Sequence, residues 1–320
     1  MILVWGVPKD GPTAAVLEAL ERRGAPVFFL DQHQVLDSQT QLSVDGELRG
    51  SVRTPAGEVR FEEITAAYIR PYETGRLPAL SAAEPEAVRR AEAFDQTLLA
   101  WCELTPAQVV NRPSAMASNN SKPYQSALIR AQGFAVPETI ITTDPAALEA
   151  FWSRHRRVIY KSMSGVRSIV RELTPEHRAR FADLGTCPTQ FQQWIPGSDF
   201  RVHVAGEETF GCEIVSSASD YRYPGSDEES PEIRPSALPG DLAARCRRLA
   251  ESLGLALSGI DLRRTPEGEW YCFEVNPSPG FTYYEAAAGQ PISAAVAALL
   301  STPAGAASTG IECATRDQRL

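Results

Sequence analysis

Short apolar runs alternate with amphipathic stretches from the first residues of this chain onward. Ile2 to Trp5 is unbroken in its apolar character, as a strand buried on both faces requires. Pro12 to Arg23 follows with Val16, Leu17 and Leu20 on one helical face, Pro12 in the first turn and Gly24 as the stop. Val27 to Leu30 is a second apolar run. Strand, helix and strand in this order predict the start of a parallel sheet. The period then shortens to two. Gln41 to Val44, an Asp45-Gly46 turn, and runs around Leu48 to Val52 and Glu58 to Phe61 predict hairpin strands. Ala66 to Ile69 reads as a further strand ending at Arg70-Pro71. Ala82 to Cys102 reads as a long, mostly helical stretch, and Val109 to Asn111 as a last short strand.

A second unit is expected to begin at Asn111-Arg112-Pro113. Lys122 opens a helix that Gly133 ends. Thr139 to Thr142 is a strand, and Asp144-Pro145 is an N-cap and first-turn pair for the helix Ala146 to Arg154. Val158 to Lys161 is a strand that ends in a lysine, before the small-residue segment SMSGVRS. Strands follow at Ile169 to Leu173, Gln190 to Ile195, Phe200 to Val204 and Thr209 to Val215. Ser216 to Pro239 is polar and proline-rich, and is expected to be mobile. Leu242 to Leu253 is a helix, as is the region around Ile292 to Leu300. Ser301 to Leu320 reads as a frayed tail.

Asp261 to Phe281, DLRRTPEGEWYCFEVNPSPGF, carries the densest chemistry. It predicts two strands joined by a turn at Thr265-Pro266-Glu267-Gly268. A four-residue loop sets Arg264 opposite Glu269 and Asp261 opposite Cys272. Alternation along the second strand places Glu274 and Asn276 on that same face. Two carboxylates and an amide oxygen then converge, a hard-oxygen set suited to Mg²⁺ holding a nucleotide triphosphate.

Composition narrows the picture. The chain of 320 residues is long enough for two or three packed units, and 43% hydrophobic with 22% charged residues is ordinary for a globular protein. No apolar run is long enough to span a bilayer, and the start lacks the basic and apolar regions of a signal peptide. A net charge of −9 argues against a general grip on nucleic-acid phosphates. The six cysteines form no Cys-x-x-Cys pair, so free thiols and a cytoplasmic location are expected. Lysines and arginines total 31, yet only Lys9, Lys122 and Lys161 are lysines. Under that bias, Lys122 at a helix start and Lys161 at a strand end before a small-residue loop are candidates for phosphate contact. The first loop, GVPKDG, is not the G-x-G-x-x-G of a dinucleotide site.

The order Lys122, then Lys161 with SMSGVRS, then QQWI-PG-SD-FRV, then Gly259-Ile260-Asp261, then Glu274-Val275-Asn276-Pro277 resembles the ATP-grasp superfamily. Within it the chain is similar to the RimK-like branch and to the MvdD-like peptide maturases, the graspetide synthetases. Segments such as AAYIRP, NRP…NNSKPYQSALIRAQGFAVPETIITTDP, Asp220-Tyr221-Arg222 and Gln290 to Ser293 carry that closer likeness. The NPSPGF tail departs from the maturase pattern toward small-molecule ligases, which leaves the acceptor class open.

The resemblance implies an α/β fold, with α+β character in the ATP-binding half. An N-terminal pre-ATP-grasp domain would span residues 1–110, a central subdomain 111–190, a C-terminal subdomain 191–301 and a tail 302–320. It implies that Lys122 and Lys161 reach the ATP phosphates, and that Ser162, Ser164 and Gly165 lie in a loop folding over them. Gln192, Gln193, Trp194 and Ile195 would form the adenine hinge, with the choice between the two glutamines open, and Asp199 would bind the ribose. Arg201 would meet the transferred phosphoryl group, making it catalytic together with Lys161. Asp261, Glu274 and Asn276 would hold one or two Mg²⁺ ions. Exposed N–H groups of Ser278 and Gly280 would face an oxyanion, and Arg70, Arg222 and Arg234 are candidates for a substrate carboxylate. The implied activity is an ATP-dependent carboxylate–amine or carboxylate–hydroxyl ligase that uses ATP and Mg²⁺ on a peptide or amino-acid substrate. No nucleic acid or membrane partner is expected, and a homo-oligomer is left open. The alternatives are a RimK-type or glutathione-synthetase-like ligase of small amino acids, and a nucleotide-binding peptide-recognition protein without turnover.

Overall fold

The structure is a computed structural model that describes residues 1–80, 83–162, 170–186, 188–216 and 231–302. The described chain divides into two compact units, one of residues 1–7, 20–109 and 297–302, the other of residues 8–19 and 110–296.

The first unit is built on the apolar runs. β1 (Ile2–Gly6) is buried throughout; α1 (Gly11–Arg22) follows it in the chain, and β2 (Val27–Asp31) pairs with β1 in parallel. β3 (Gln39–Asp45), β4 (Glu47–Thr54) and β5 (Gly57–Arg60) form a separate antiparallel sheet. Its first turn is at Gly46, whose φ of 71° is cheap only for glycine. β6 (Ala66–Ile69) pairs with β1 in parallel, and after α2 (Pro85–Leu104) the chain returns as β7 (Gln108–Val110). The main sheet thus has the order β2-β1-β6-β7. Leu98 and Trp101 of α2 are buried, and Trp101 stacks on Phe61 at 5.0 Å.

The second unit starts with α3 (Pro113–Met116) and α4 (Lys122–Ala131). β8 (Thr139–Thr142), α5 (Pro145–His155), β9 (Val158–Ser162), β10 (Arg171–Glu172) and β11 (Thr189–Gln193) follow. Asp144 caps α5 by accepting from the Ala146 N–H at 2.9 Å. The strands form a sheet in the order β10-β9-β11-β8, with only antiparallel pairs. Alternation divides its two faces. Val158, Tyr160 and Phe191 pack with Leu148, Phe151 and Trp152 of α5. Ile159, Lys161, Gln190 and Gln192 therefore lie on the opposite face.

β12 (Ser198–Ala205), β13 (Glu208–Val215), β14 (Glu232–Pro235), α6 (Gly240–Ser252), β15 (Leu257–Arg264) and β16 (Trp270–Asn276) build the largest sheet, β14-β13-β12-β15-β16. Phe200, Val202, Val204, Ile260, Leu262, Cys272 and Val275 make one apolar face under Leu242, Cys246, Leu249 and Ala250 of α6. Two helices close the described residues, α7 (Thr282–Ala288) and α8 (Ile292–Ser301). Two expectations change. Residues 232–235, within the stretch read as mobile, form β14 because Ile233 has an apolar cluster of Cys212, Ile214 and Tyr284 to join. Of the strand expected at Ile169 to Leu173, Ile169 lies outside the described residues, and Arg171–Glu172 form the strand among those described. The expected tail falls almost entirely outside the described residues.

Candidate active site

The polar face of the large sheet holds the chemistry. Asp261 lies directly opposite Glu274, and Gly259 opposite Asn276. This corrects the register read from sequence, which paired Asp261 with Cys272. Two one-residue steps make the difference. The loop is one residue longer than expected, since Arg264 pairs with Trp270 and the Thr265 N–H donates to the Glu269 carbonyl at 2.9 Å. A β-bulge then takes up Phe273 between the Leu262–Cys272 and Asp261–Glu274 pairs. One step alone would turn Glu274 away from Asp261. Two steps restore a common face.

The same row continues across the sheet. Arg201 of β12 is opposite Asp261, and Cys212 of β13 is opposite Arg201. Arg201 is 6% exposed, and its Nη1 donates to Asp261 Oδ1 at 2.7 Å. Its guanidinium lies against Gly259 of the neighbouring strand. A Cβ on Gly259 would come within 2.1 Å of Arg201 Nη2, so this position has no room for a side chain. Behind Arg201, its Nε donates to His203 Nε2 at 3.4 Å. His203 is fully buried, and burial, reinforced by the Arg201 charge, drives its pKa well below the usual imidazole value. His203 is therefore a neutral acceptor for Arg201.

Lys122 reaches this row from α4. Its Nζ donates to Glu274 Oε1 at 3.1 Å. One turn further, Gln125 is buried and acts as a strand partner for β16. Its Nε2 donates to the Val275 carbonyl at 2.8 Å, and its Oε1 accepts the Val275 N–H at 2.9 Å. Spacing of three residues puts Lys122 and Gln125 on one helix face, so the docking of Gln125 aims Lys122 at Glu274. Asn111 does similar work from below. Its Nδ2 donates to the carbonyls of Leu257 and Pro277, and its Oδ1 accepts the N–H groups of Ala256 and Leu257. All the polar capacity of that buried amide is spent on tying the start of β15 to the loop after β16.

The polar faces of the two sheets meet in a cleft. It is lined by Ile159, Lys161 and Gln192 on one side and by Asp261, Arg263 and Glu274 on the other. Trp194, Asp199 and Phe273 also line it, with Glu172 among the remaining wall residues. Lys161 is 8% exposed, so the cleft holds a nearly buried cation beside two carboxylates.

No protein-family model matches the chain. Glutathione synthetase of Salmonella typhimurium (strain LT2) is 26% identical over 170 residues, which cover 50% of this chain and 48% of that protein. The Shigella flexneri glutathione synthetase is 24% identical over 225 residues, covering 63% and 64%. The chain spans about half the length of the first of these relatives. Among solved structures, the macrocyclase MdnC from Microcystis aeruginosa MRC, bound with precursor peptide MdnA, superposes with a TM-score of 0.80. That match is 20% identical and covers 94% of this chain and 99% of MdnC. The ATP-grasp ligase PsnB complexed with minimal precursor gives 0.79 at 24% identity, covering 93% and 97%. A Chryseobacterium gregarium RiPP-associated ATP-grasp ligase, in complex with ADP and a leader and core peptide, gives 0.78 at 22%, covering 93% and 96%. The fold is that of the ATP-grasp ligases.

Within the ATP-grasp fold, the expected hinge is partly engaged already. The Trp194 N–H donates to the Arg157 carbonyl at 3.1 Å, and the Ile195 carbonyl accepts from Arg263 Nη1 at 2.8 Å. Among the described residues, the Trp194 carbonyl and the Ile195 N–H have no partner. They form an adjacent acceptor and donor. The Arg157 guanidinium stacks on the Trp194 ring at 3.6 Å and grips Glu172 with two hydrogen bonds. The two glutamines separate. Gln192 lines the cleft, with its Nε2 on Thr139 Oγ1 at 3.2 Å, whereas Gln193 accepts the Glu138 N–H at 3.3 Å away from it. Asp199 lines the cleft but is clamped by Arg263, whose Nε and Nη2 each donate to it at 2.7 Å.

The remaining expected residues scatter. Asn276 Oδ1 accepts the Ser278 N–H at 2.9 Å, so that N–H is not available to an oxyanion here. Gly280 is exposed. Arg234, on the outer strand β14, pairs with Glu232 at 2.6 Å and does not line the cleft. Arg70, at the end of β6 in the first unit, donates its N–H to the Trp5 carbonyl at 2.9 Å. Ser164, Gly165 and Arg222 lie outside the described residues, and Ser162 is described only as a backbone position on β9. The residues missed from sequence are Asn111, Gln125, His203 and Arg263, each of which acts by placing another. Burial pushes the thiol of Cys212 up to about 11 and that of Cys246 up to about 12, so neither is a reactive thiolate.

Proposed function

We propose that this chain is an ATP-dependent ligase that activates a substrate carboxylate as an acyl phosphate and passes it to an amine or hydroxyl. The observation that carries this reading is the row Arg201–Asp261–Glu274, met by Lys122 and facing Lys161 across one cleft. Three cations beside two opposed carboxylates make a site for a polyanion together with a hard metal ion.

The donor set suits Mg²⁺. Asp261 and Glu274 share a face, Asn276 stands next to them on it, and Asn276 Oδ1 retains a second lone pair beyond its bond to Ser278. When bound there, Mg²⁺ would offset the phosphate charge. Lys122 and Lys161 would hold the phosphates, and the Trp194 carbonyl with the Ile195 N–H would hold the adenine edge. Lys122 and Arg201 would exchange their present carboxylate partners for phosphate oxygens. A substrate carboxylate oxygen attacks the γ-phosphorus, and the bond to ADP breaks. An amine or hydroxyl then attacks the acyl carbon, loses its proton, and phosphate leaves with one former carboxylate oxygen. Arg201, held by His203 and cradled over Gly259, would stabilise the charge on the transferred group. No covalent enzyme intermediate is needed.

A ribosomal peptide is the preferred substrate. MdnC and PsnB are seen with precursor peptides, and other PsnB complexes with Mg and ADP. The second reading is a ligase of small amino acids, which the glutathione synthetase matches favour. Mass spectrometry of candidate peptides incubated with ATP and Mg²⁺ separates them. Loss of one water per bond indicates cyclisation, and gain of an amino-acid residue indicates addition. Peptides left unchanged, with no ADP formed, would defeat the ligase reading.

A further inference from the structure

Tyr284 of α7 stands over the guanidinium of Arg201. Its ring centroid lies 5.7 Å from Arg201 Cζ, and 5.1 Å from the centroid of the His203 ring at a tilt of 58°. Tyr284 is 8% exposed, Arg201 6% and His203 not at all. The face of an aromatic ring carries negative charge density. It attracts a cation within about 6 Å, the more so where water is kept out.

Local sequence holds the ring in place. Phe281, fully buried, anchors the chain after Gly280, and α7 begins with the next residue. Tyr284 then packs with Cys212, Ile214 and Ile233. Its neighbour Tyr283 meets it in a T-shape at 5.5 Å and donates its hydroxyl to the Pro231 carbonyl at 3.2 Å. Beyond α7, Gln290 donates from Nε2 to the Gly211 carbonyl at 2.8 Å, which pins the far end of the helix to β13.

Two other contacts of Arg201 serve less well during phosphoryl transfer. Its ion pair with Asp261, at 2.7 Å, would end when that carboxylate turns to Mg²⁺, and its bond to His203 is long, at 3.4 Å. An aromatic face holds a guanidinium without occupying its N–H groups and without neutralising its charge. Both are then left for the phosphoryl oxygens. We propose, on the basis of the ligase reading, that Tyr284 is a positioning residue. Its ring keeps the Arg201 guanidinium aimed at the transferred phosphoryl group once Asp261 has released it. Tyr284 acts through Arg201 alone.

The test is calorimetric binding of Mg-ADP to the full chain, alone and with aluminium fluoride as a stand-in for the phosphoryl group in transfer. The variants are Tyr284→Phe, Tyr284→Leu and Tyr284→pentafluorophenylalanine, whose ring keeps the phenylalanine outline but reverses the charge of its face. The wild type is expected to bind Mg-ADP more tightly with aluminium fluoride than without. Tyr284→Phe should keep that gain. Tyr284→Leu and the pentafluoro variant should cut it about ten-fold, the worth of a desolvated cation–π contact, with affinity for Mg-ADP alone unchanged. The fluorinated ring keeps the test decisive if Tyr284→Leu does not fold. An undiminished gain in the pentafluoro variant, or an equal loss in Tyr284→Phe, would overturn the inference and leave the ligase reading intact. A wild type that binds no Mg-ADP would overturn both, which tells the two failures apart.

Discussion

An added Cβ at Gly259 would meet Arg201 Nη2 at 2.1 Å and Pro279 Cβ at 2.8 Å. Arg201 is the softer neighbour, so Gly259→Ala should push its guanidinium off Asp261. ADP formation is expected to fall at least about ten-fold, the worth of one lost charge-stabilising contact, with far less effect on the melting temperature. Normal turnover in Gly259→Ala would show that Arg201 does not need this cradle. Glu274→Gln keeps the shape of β16 but removes a charge from the proposed metal-binding set. It should abolish ADP formation while the circular dichroism spectrum stays unchanged, and near-normal turnover would remove Glu274 from that set. That Glu274 and Asn276 share a face was legible in the sequence because alternation along a strand is a local rule, whereas the pairing of Asp261 with Glu274 depends on a longer loop and a bulge that the sequence did not show. Gly259 as a cradle, His203 as an acceptor and Arg263 as a clamp were not. Gly259 and Arg263 act on residues of another strand about sixty positions away, a meeting that no local pattern records; His203 is two residues from Arg201 on β12, and only its burial makes it a neutral acceptor.

At the scale of elements, Gln125 fastens α4 to the backbone of β16. Gln125→Ala would leave the Val275 N–H and carbonyl buried without partners. It is expected to destabilise the protein by about 1–3 kcal/mol and, through Lys122, to weaken ATP binding. Chemical denaturation with nucleotide titration checks both effects; loss of stability with unchanged ATP affinity would separate the two roles. Most elements could be read from the sequence, because apolar periodicity, the Asp144 cap and the glycine stops are strong local signals. The hairpin register could not. Loop length and bulge are set by how Trp270, Cys272 and Val275 seat in the core while Ala135 pairs alongside β16, with the Cys272 N–H donating to its carbonyl at 2.9 Å. β14 was hidden for a related reason: its single buried residue, Ile233, has meaning only beside Cys212 and Ile214.

For the whole molecule, acid should be destabilising through His203. Folded, burial and then the Arg201 charge keep it neutral to well below its ordinary value; unfolded, it titrates near about 6.5. Between those values the native state binds fewer protons, so this contribution is complete above about pH 6.5 and is lost as pH falls. The melting temperature should drop more steeply from about pH 7 to about pH 5 in the wild type than in His203→Gln. Equal slopes would contradict a buried neutral imidazole. Among the described residues, no helix is long and apolar enough to cross a membrane. The architecture as a whole was foreshadowed by the order of the two scarce lysines, the QQWI hinge and the Asp261–Asn276 hairpin, which the fold gathers around one cleft. Acyl-phosphate chemistry at that cleft is the central claim. Its most direct test uses a substrate whose carboxylate carries heavy oxygen, incubated with the protein, ATP and Mg²⁺. One labelled oxygen should appear in the released phosphate for each bond formed. Product formed with all the label kept out of phosphate would contradict it.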